Sequence, residues 1–440
     1  MPFRDLFLFI FIFGSLPVVF KRPYLGVLIC AWLGYMNPHR YSWGPAYDFP
    51  FVAIVAIITL LGFFQFTEKK ELPDNIVVPL LFVFLAWVGL TTFTALNPSG
   101  ALMEWNRFWK IQVLNFLAIY LFQSRERINL LVAVVACSIG FFAFKGGIFT
   151  IMTGGIYMVG GPAGSFITGN TEIGFAATVV LPLIFYLGTI AEKKWQKNLV
   201  IVALVFSSIG IIGTHSRGAF LAFGVLCVYF WLISRRKMMT LILLACVVPA
   251  LFTVMPDSYF TRMETIQTYE EDASAMGRIN AWHFAFNLAN DRPLLGGGAN
   301  AFTRDLFYRY APEPQRVHDA HSIYFEILGE QGYPGLLIFS AILFFSYRNC
   351  VYARRRARDI LELKWAFDLA RMLQASFVAY LVGGAFLGLA YFDLLYHLVA
   401  LSVLLRVVVD RELQAVASPV EEHQEQSAPA WQLADPAAKR

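Results

Sequence analysis

Charged residues are scarce in this chain. Only 15% of its 440 residues are Asp, Glu, Lys or Arg, whereas 58% are hydrophobic, and the mean hydropathy is +0.58. A soluble domain has about 25% charged and about 45–50% apolar residues. The composition therefore excludes an ordinary soluble protein and predicts a polytopic membrane protein, in which each crossing helix needs about 20 apolar residues.

Paired cysteines, strong net charge and nucleotide motifs are also missing. The cysteines stand singly, so we expect neither a disulfide framework nor a cysteine-metal site. The net charge is only +5, and the basic residues fall mostly in short loops, which indicates membrane topology rather than nucleic-acid binding. No P-loop is present and the glycine run 296–298 follows no predicted strand, so we predict no nucleotide site and no cofactor.

Long apolar runs separated by short turns are what the sequence has in abundance. They predict an all-α bundle of about twelve transmembrane helices, with the count of spans at the N-terminus left open by the short runs 6–20 and 24–36. An excess of Lys and Arg marks the cytoplasmic side of a membrane. Alternation from the basic loops places both chain ends inside and residues 256–334 outside; these loops are 124–127, 192–197, 235–237 and 354–358.

Polarity divides the chain into four segments. We predict N-terminal transmembrane helices over 1–255, a periplasmic loop with amphipathic helices over 256–334, C-terminal transmembrane helices over 335–410 and a disordered cytoplasmic tail over 411–440. A polar insert as large as 256–334 cannot be embedded in lipid. We therefore expect it to carry the chemistry, on the periplasmic face of a bacterial inner membrane.

An enzyme on that face has no nucleotide pool, so its substrate must bring its own activated bond. Lipid pyrophosphates meet this need, and their charge calls for preorganised cations, especially the two-pronged contact of arginine. The candidate residues for this contact are Arg217, Arg278, Arg316 and Lys145. Each could instead anchor a helix at the membrane interface, be a solvated surface charge or, for Lys145, snorkel to the interface.

His321 is the candidate base. It opens an apolar-periodic run that leads into a membrane helix, and an imidazole with a pKa near 6.5 can accept a proton at neutral pH. It could also bond to a helix end, or share a metal with His318 and Asp319. The spacing of this H-D-A-H run is not that of a zinc helix, and no third ligand is evident, so no metal is predicted. Glu330, further along, belongs to the site or satisfies a helix end.

Several stretches resemble the O-antigen ligase and polymerase superfamily. They are Arg278-x-x-x-Trp282, then Arg292-Pro-Leu-Leu-Gly-Gly-Gly298 with Phe302, and His321-Ser-Ile-Tyr-Phe-Glu-Ile-Leu-Gly-Glu-Gln-Gly332, joined by Asn170 and Ser216-Arg-Gly218. The run Tyr35-Met-Asn-Pro-His-Arg40 is similar to a subgroup of O-glycosylation ligases linked to exosortase systems. The resemblance covers most of the chain and the order of its elements.

The resemblance implies a reaction. A glycan on undecaprenyl pyrophosphate would pass, with inversion and without metal, to a sugar hydroxyl of lipid A-core. It implies His321 as the base and Arg217 and Arg278 as pyrophosphate ligands, with supporting roles for other matched residues. The supporting residues are Asn170, His318, Glu330 and Trp282. The family often has Asn after the histidine, so the role of Ser322 in this chain is open.

Two alternatives remain open at this point. A protein O-glycosylation ligase or an O-antigen polymerase would use the same donor and differ in the acceptor pocket. A flippase or transporter of lipid-linked sugars would need no base and would have charges in the middle of its spans. The arginines of this chain gather at or beyond helix ends, which favours an enzyme whose partners are the lipid-linked donor, an acceptor and membrane lipids.

Overall fold

A computed structural model of the chain describes residues 3–65, 71–234, 237–238 and 273–427. Within these ranges the regular structure is entirely helical, without a strand, so the all-α prediction is confirmed for the part described. The early helices are α1 (Phe3–Lys21), α2 (Pro23–Met36), α3 (Phe51–Gln65), α4 (Val77–Phe93), α5 (Pro98–Leu121), α6 (Arg125–Met152), α7 (Asn170–Ile190), α8 (Lys194–Gly213) and α9 (Arg217–Ile233). The later helices are α10 (Ala273–Asp291), α11 (Arg304–Tyr310), α12 (Ile323–Arg356), α13 (Lys364–Gly384) and α14 (Asp393–Ser427), and a 3₁₀ turn spans Pro38–Tyr41.

Five of the described helices are long and apolar enough to cross a membrane: α1, α6, α7, α8 and α12. Four shorter apolar helices, α2, α3, α4 and α9, accompany them. The count of about twelve crossing helices therefore stays a prediction. The apolar run 238–255, most of the basic loop 235–237 and the first part of the polar segment 256–334 lie largely or wholly outside the described residues.

Close helix packing in the bundle depends on glycine. A Cβ atom on Gly147 of α6 would overlap the carbonyl oxygen of Phe206 on α8, and one on Gly210 of α8 would overlap the carbonyl oxygen of Ala143 on α6. Small residues let the backbones of membrane helices approach closely, where van der Waals packing supplies the attraction. The α6–α8 contact is therefore specified by the glycines themselves.

Several connections meet at one end of the bundle, which we call the site end. Leu96 N donates a 2.8 Å hydrogen bond to the carbonyl of Gly297, and the rings of Phe166 and Phe392 lie 5.2 Å apart. Gly164 lies against the guanidinium of Arg40. The connections at this end are 38–50, 94–97, 153–169, 214–216, 292–322 and 385–392.

The first residues of α1 lie at the site end as well. Arg4 donates a 2.9 Å hydrogen bond to the carbonyl of Tyr41, and Asp5 accepts one of 2.9 Å from the backbone of Ala46. The turn between α1 and α2 lies at the other end, where Arg127 stacks on Tyr24. This geometry differs from the prediction that both chain ends share one side. The physical reason is that 6–20 and 24–36 form two antiparallel helices rather than one crossing segment.

Helices continue across two of the predicted segment boundaries, at 334 and at 410. α12 is continuous except at Gly332, whose φ of +68° and ψ of −172° are non-helical, and this kink lies two residues before the predicted end of the polar segment at 334. At the other boundary, α14 continues to Ser427 into the segment 411–440 that we predicted to be disordered. Its Ala, Glu and Gln residues are good helix formers, which favours this extension. Residues 428–440 lie outside the described part.

Candidate active site

Polar contacts from α10 hold the backbone that leads into α12. The side-chain amide of Asn280 donates to the carbonyls of Glu313 (2.8 Å) and Arg316 (3.0 Å), and its oxygen accepts from the backbone N of Glu313 (2.9 Å). The indole of Trp282 donates to the carbonyl of Ala320 (2.8 Å). These bonds position the backbone of His321 and Ser322, which follow Ala320.

His321 adopts an unusual backbone conformation. Its φ is +41°, in the left-handed region that few residues other than glycine occupy. Such a conformation persists only where the surroundings hold it, and it is enriched at functional sites. The neighbouring Trp282 is itself held by a stacked contact with Phe325, with ring centroids 5.1 Å apart. The imidazole is therefore positioned by its surroundings rather than by local preference.

His321 lines a pocket of about 210 Å³ at the site end. Residues from α7, the 292–322 connection, α12 and the 385–392 connection contribute to it. Carboxyl side chains dominate the polar lining; they belong to Glu172, Asp319, Glu326 and Glu330. Carboxyl groups offer several oxygen atoms that accept hydrogen bonds, so this lining suits a ligand rich in hydroxyl groups.

The electrostatic surroundings of His321 favour the neutral imidazole. Burial lowers its pKa from the ordinary value of 6.5, and the charges of Arg278 and His318 lower it further, while Asp319 raises it. A neutral ring has a free lone pair at pH 7 and can accept a proton. The site thus holds its histidine in the form that a general base requires.

His318 is packed against α10. A Cβ atom on Gly277 would overlap the ring of His318, and the rings of His318 and His321 lie 6.3 Å apart. Arg278 follows Gly277 on the same helix and acts electrostatically on His321. Three of the residues that the sequence singled out are therefore brought together where α10 meets the start of α12.

Glu330 connects three parts of the site end. It is only 4% exposed, and its carboxyl group accepts from the backbone N of Asn300 (2.7 Å) and from the hydroxyl of Tyr391 (2.8 Å). Gln331 donates to the same hydroxyl (2.9 Å). A buried carboxyl group needs such partners. Glu330 therefore does more than satisfy a helix end, because it joins α12 to the 292–322 and 385–392 connections.

The glycine run 296–298 packs on the backbone of α12. The backbone N of Gly297 donates to the carbonyl of Gly329, and that of Gly298 donates to the carbonyl of Glu330, each at 2.8 Å. Gly298 has a φ of +77°, and a Cβ there would overlap Ala95. Only glycine combines this conformation with such a close approach.

Asn170 holds the turn between α8 and α9, which leads into Arg217. The side-chain amide of Asn170 donates a 2.8 Å hydrogen bond to the carbonyl of Thr214, and Ser216 caps α9 by accepting from the backbone N of Ala219 (3.3 Å). Arg217 is the first residue of α9. A cation at the N-terminus of a helix adds to the positive end of the helix dipole, which favours binding of an anion there.

The turn that carries Arg217 also touches the connection that closes the His321 pocket. Gly218 lies against the side chain of Phe386, and the next residues along that connection, Leu387 and Gly388, line the pocket. The start of α9 therefore contacts the connection that forms one wall of the pocket.

Two stretches of the chain match protein-family models. Residues 202–340 match the family model described as O-antigen ligase, and residues 3–192 match a family of unknown function. Residues 202–340 are therefore an O-antigen ligase domain, which supports membership of the O-antigen ligase superfamily. The O-antigen ligase match contains Arg217, Arg278 and His321. No curated protein matches the chain.

Two of the predicted pyrophosphate ligands, Arg316 and Lys145, do not line the pocket. Arg316 forms an ion pair with Glu313 (3.0 Å), and both side chains are about half exposed. Lys145 is exposed on α6, with its ammonium 5.8 Å from the ring centroid of Tyr41 in the 38–50 connection. Neither is among the residues that line the pocket of His321.

The structure adds acidic and basic residues that the predicted set of site residues did not include. Glu326 lines the pocket and accepts from the backbone N of Ala390 (3.1 Å), and the charge of Glu104 on α5 acts on it. Arg107 pairs with Glu104 (3.4 Å) and lies over the ring of Phe166 at 3.5 Å. Both residues lie on α5, which begins at Pro98. The signal in the sequence was a pair of charged residues, three positions apart, in an otherwise apolar helix.

Metal ligation was the competing interpretation of the paired histidines. Within the part of the chain that the structure describes, no three His, Cys, Asp or Glu side chains are grouped as ligands of one ion would be. The sensitivity of transfer to EDTA distinguishes the two interpretations.

Proposed function

We propose that this O-antigen ligase/polymerase-type glycosyltransferase moves O-antigen polysaccharide from undecaprenyl pyrophosphate to a sugar hydroxyl of lipid A-core. The transfer inverts the anomeric carbon, needs no metal, and takes place on the periplasmic face of the inner membrane. The observation that carries the proposal is His321, a half-buried imidazole in a left-handed backbone conformation that lines a carboxyl-rich pocket and whose pKa is lowered by burial and by the charge of Arg278.

The reaction assigns different roles to the imidazole and to the two arginines. His321 takes the proton from the acceptor hydroxyl as the oxygen attacks the anomeric carbon of the donor. The bond from that carbon to the pyrophosphate oxygen breaks, and undecaprenyl pyrophosphate leaves with the electron pair. The proton then passes from the imidazolium to solvent. Arg217 and Arg278 stabilise the negative charge that develops on the leaving group, the task for which preorganised cations are most effective.

The supporting residues hold these groups in position. Asn170 holds the turn before Arg217, Trp282 holds the backbone before His321, and Glu330 ties α12 to its neighbours. His318 lowers the pKa of His321. Lys145 and Arg316 contribute to the positive potential at the site end and guide the anionic donor from a greater distance.

The carboxyl-lined pocket supports an acceptor that is a sugar. Side chains such as Glu172 and Glu326 can accept hydrogen bonds from several hydroxyl groups at once. A protein O-glycosylation ligase or an O-antigen polymerase would share the donor and the base, and would differ in what occupies this pocket. A flippase of lipid-linked sugars would use the arginines without the imidazole.

One experiment separates these functions. Purified full-length protein in proteoliposomes is given undecaprenyl-linked glycan together with lipid A-core, a candidate protein acceptor or donor alone. Transfer to lipid A-core supports the proposal, whereas transfer to protein or extension of the donor supports one of the related enzymes. Equal glycan translocation by wild type and His321→Ala, without transfer, would establish a flippase instead.

A further inference from the structure

A second cavity lies apart from the pocket of His321, between α3 and α5. Its volume is about 570 Å³, within the range of about 300–1,000 Å³ that is typical of ligand sites. Most of its wall is apolar and comes from successive turns of the two helices. These residues include Val52, Ala56 and Leu60 on α3 and Val113 and Leu114 on α5. We call this cavity the α3–α5 groove.

The groove opens sideways, toward the surroundings of the bundle. Ile57 on α3 is 56% exposed and Trp109 on α5 is 38% exposed, and both line the groove. The small side chains Ala53 and Ala56 leave the space between the helices unfilled. A bilayer lipid can therefore enter laterally with one hydrocarbon chain, without passing through the interior of the protein.

One end of the groove is polar and cationic. Arg40 donates to Asp48 at 3.0 Å and stacks on Tyr47 at 4.7 Å, while Lys110 is exposed beside Trp109, with its ammonium 5.8 Å from the indole centroid. Trp, Tyr and basic residues together are typical of the boundary between hydrocarbon and water. Two cations against one carboxylate leave this end with one net positive charge.

Two side-chain nitrogen atoms at this end lack hydrogen-bond partners within the protein. Arg40 Nε and His39 Nδ1 are buried, and neither atom has a partner in the structure. Both residues line the groove. A buried polar atom without a partner is costly, and a phosphate oxygen is the acceptor that a guanidinium matches best. Shape and charge therefore agree, because the apolar channel ends at the guanidinium of Arg40 and the ammonium of Lys110, which are opposite in charge to a phosphate.

We propose that the α3–α5 groove binds an anionic phospholipid of the surrounding bilayer. One acyl chain lies between α3 and α5, and the phosphate lies between Arg40 and Lys110. The groove falls entirely within residues 39–114, inside the part that matches a family of unknown function and outside the O-antigen ligase match. The proposal assigns this N-terminal region a lipid site of its own, and it does not depend on the transfer reaction.

The test is binding of phosphatidylglycerol and phosphatidylcholine to the full-length protein in neutral detergent, followed by native mass spectrometry. No glycan donor or acceptor is present, so the result is independent of catalysis. The two test variants are Lys110→Ala, which removes an exposed charge, and Ala56→Trp, which fills the groove. Matched controls are Lys197→Ala, an exposed lysine at the other end of the bundle, and Val205→Trp, on the half-exposed face of α8.

We expect wild type to bind phosphatidylglycerol at least about fivefold more tightly than phosphatidylcholine, because one basic residue near an anionic lipid contributes about that factor. Lys110→Ala should remove most of this preference, and Ala56→Trp should weaken both lipids. The two controls should bind as wild type does. Thermal unfolding of every variant shows that it is folded.

Three results would overturn the proposal. The first is equal binding of the two phospholipids to wild type, and the second is unchanged binding to Ala56→Trp when that variant is folded. The third is displacement of phosphatidylglycerol by undecaprenyl phosphate at a lower concentration than phosphatidylglycerol itself requires, which would assign the groove to the donor. If Ala56→Trp does not fold, Lys110→Ala decides by keeping or losing the preference for the anionic lipid.

Discussion

The side-chain amide of Asn170 donates a 2.8 Å hydrogen bond to the backbone carbonyl of Thr214, three residues before Arg217. An aspartate cannot donate this bond, and its charge would repel the carbonyl oxygen. We expect Asn170→Asp to raise the KM for the lipid-linked donor about tenfold, the effect of about 1–3 kcal/mol for a lost buried hydrogen bond. Steady-state transfer kinetics measure this change.

Asn129 provides the matched control for that substitution. Its side-chain oxygen accepts from the hydroxyl of Tyr186 at the other end of α7, and an aspartate can accept the same bond. Asn129→Asp should therefore leave the KM unchanged. An equal rise in KM for both variants would show that Asn170 does not act through the turn before Arg217.

Replacing His321 should remove the base. We expect His321→Ala to lower kcat by about 10²–10⁴-fold, the usual contribution of a positioned general base, while the thermal unfolding midpoint changes little. Transfer at the wild-type rate by a folded His321→Ala protein would exclude the imidazole from catalysis. Loss of wild-type activity in EDTA, with rescue by a divalent cation, would favour the metal interpretation of His318 and His321.

The pH dependence of transfer should report the pKa of His321. That pKa lies below 6.5, so kcat/KM should stay level near pH 7 and fall as the pH drops through the lowered value, where the imidazole becomes protonated. Arg278→Ala removes a cation that lowers the pKa, so the acidic fall should move to higher pH. Arg309→Ala, which removes a largely exposed cation paired with Asp291, should leave the profile in place. A profile that Arg278→Ala leaves unmoved contradicts the electrostatic coupling.

Arg217 should not be replaceable by lysine. We expect Arg217→Ala to weaken donor use strongly and Arg217→Lys to restore it only in part, because an ammonium group cannot make the two-pronged contact of a guanidinium with pyrophosphate. The measurement is kcat/KM for the donor at fixed acceptor concentration. Full recovery in Arg217→Lys would mean that a positive charge alone is sufficient there.

Gly277 should tolerate no side chain, because a Cβ atom would overlap the ring of His318. We expect Gly277→Ala to displace that ring and reduce transfer several-fold while α10 remains folded. Gly224→Ala on α9 is the control, because a Cβ there meets nothing within 4 Å. Circular dichroism checks the helical content of both variants, and wild-type transfer by Gly277→Ala would show that the position of His318 is unimportant.

The part of the site that sequence reasoning anticipated is contiguous in the chain. Arg278, Trp282, His318 and His321 belong to one stretch, and the elements that bear them, α10 and the start of α12, are consecutive apart from the short α11. Residues joined by short connections are usually neighbours in space. A local pattern of polar residues was therefore enough to predict that they would meet.

The remaining members of the site come from distant helices. Glu172 begins α7, Glu104 lies on α5 and Tyr391 precedes α14, and all of them lie near α12 only after the bundle has packed. The periodicity of a helix reports which of its faces is apolar, but not which other helix covers that face. For the same reason Lys145, which shares the chemistry of the predicted pyrophosphate ligands, stands beside Tyr41 instead of the pocket.

Composition determined that this chain is a membrane protein, and its long apolar runs predicted helices, because a helix satisfies its backbone polar groups internally in hydrocarbon. The order of residues around His321 determined the family resemblance. Tertiary packing decided which carboxyl groups line the pocket, that the beginning of α1 lies at the site end, and that a groove remains between α3 and α5. These outcomes depend on contacts between residues far apart in the chain, and such contacts leave no local pattern from which they can be predicted.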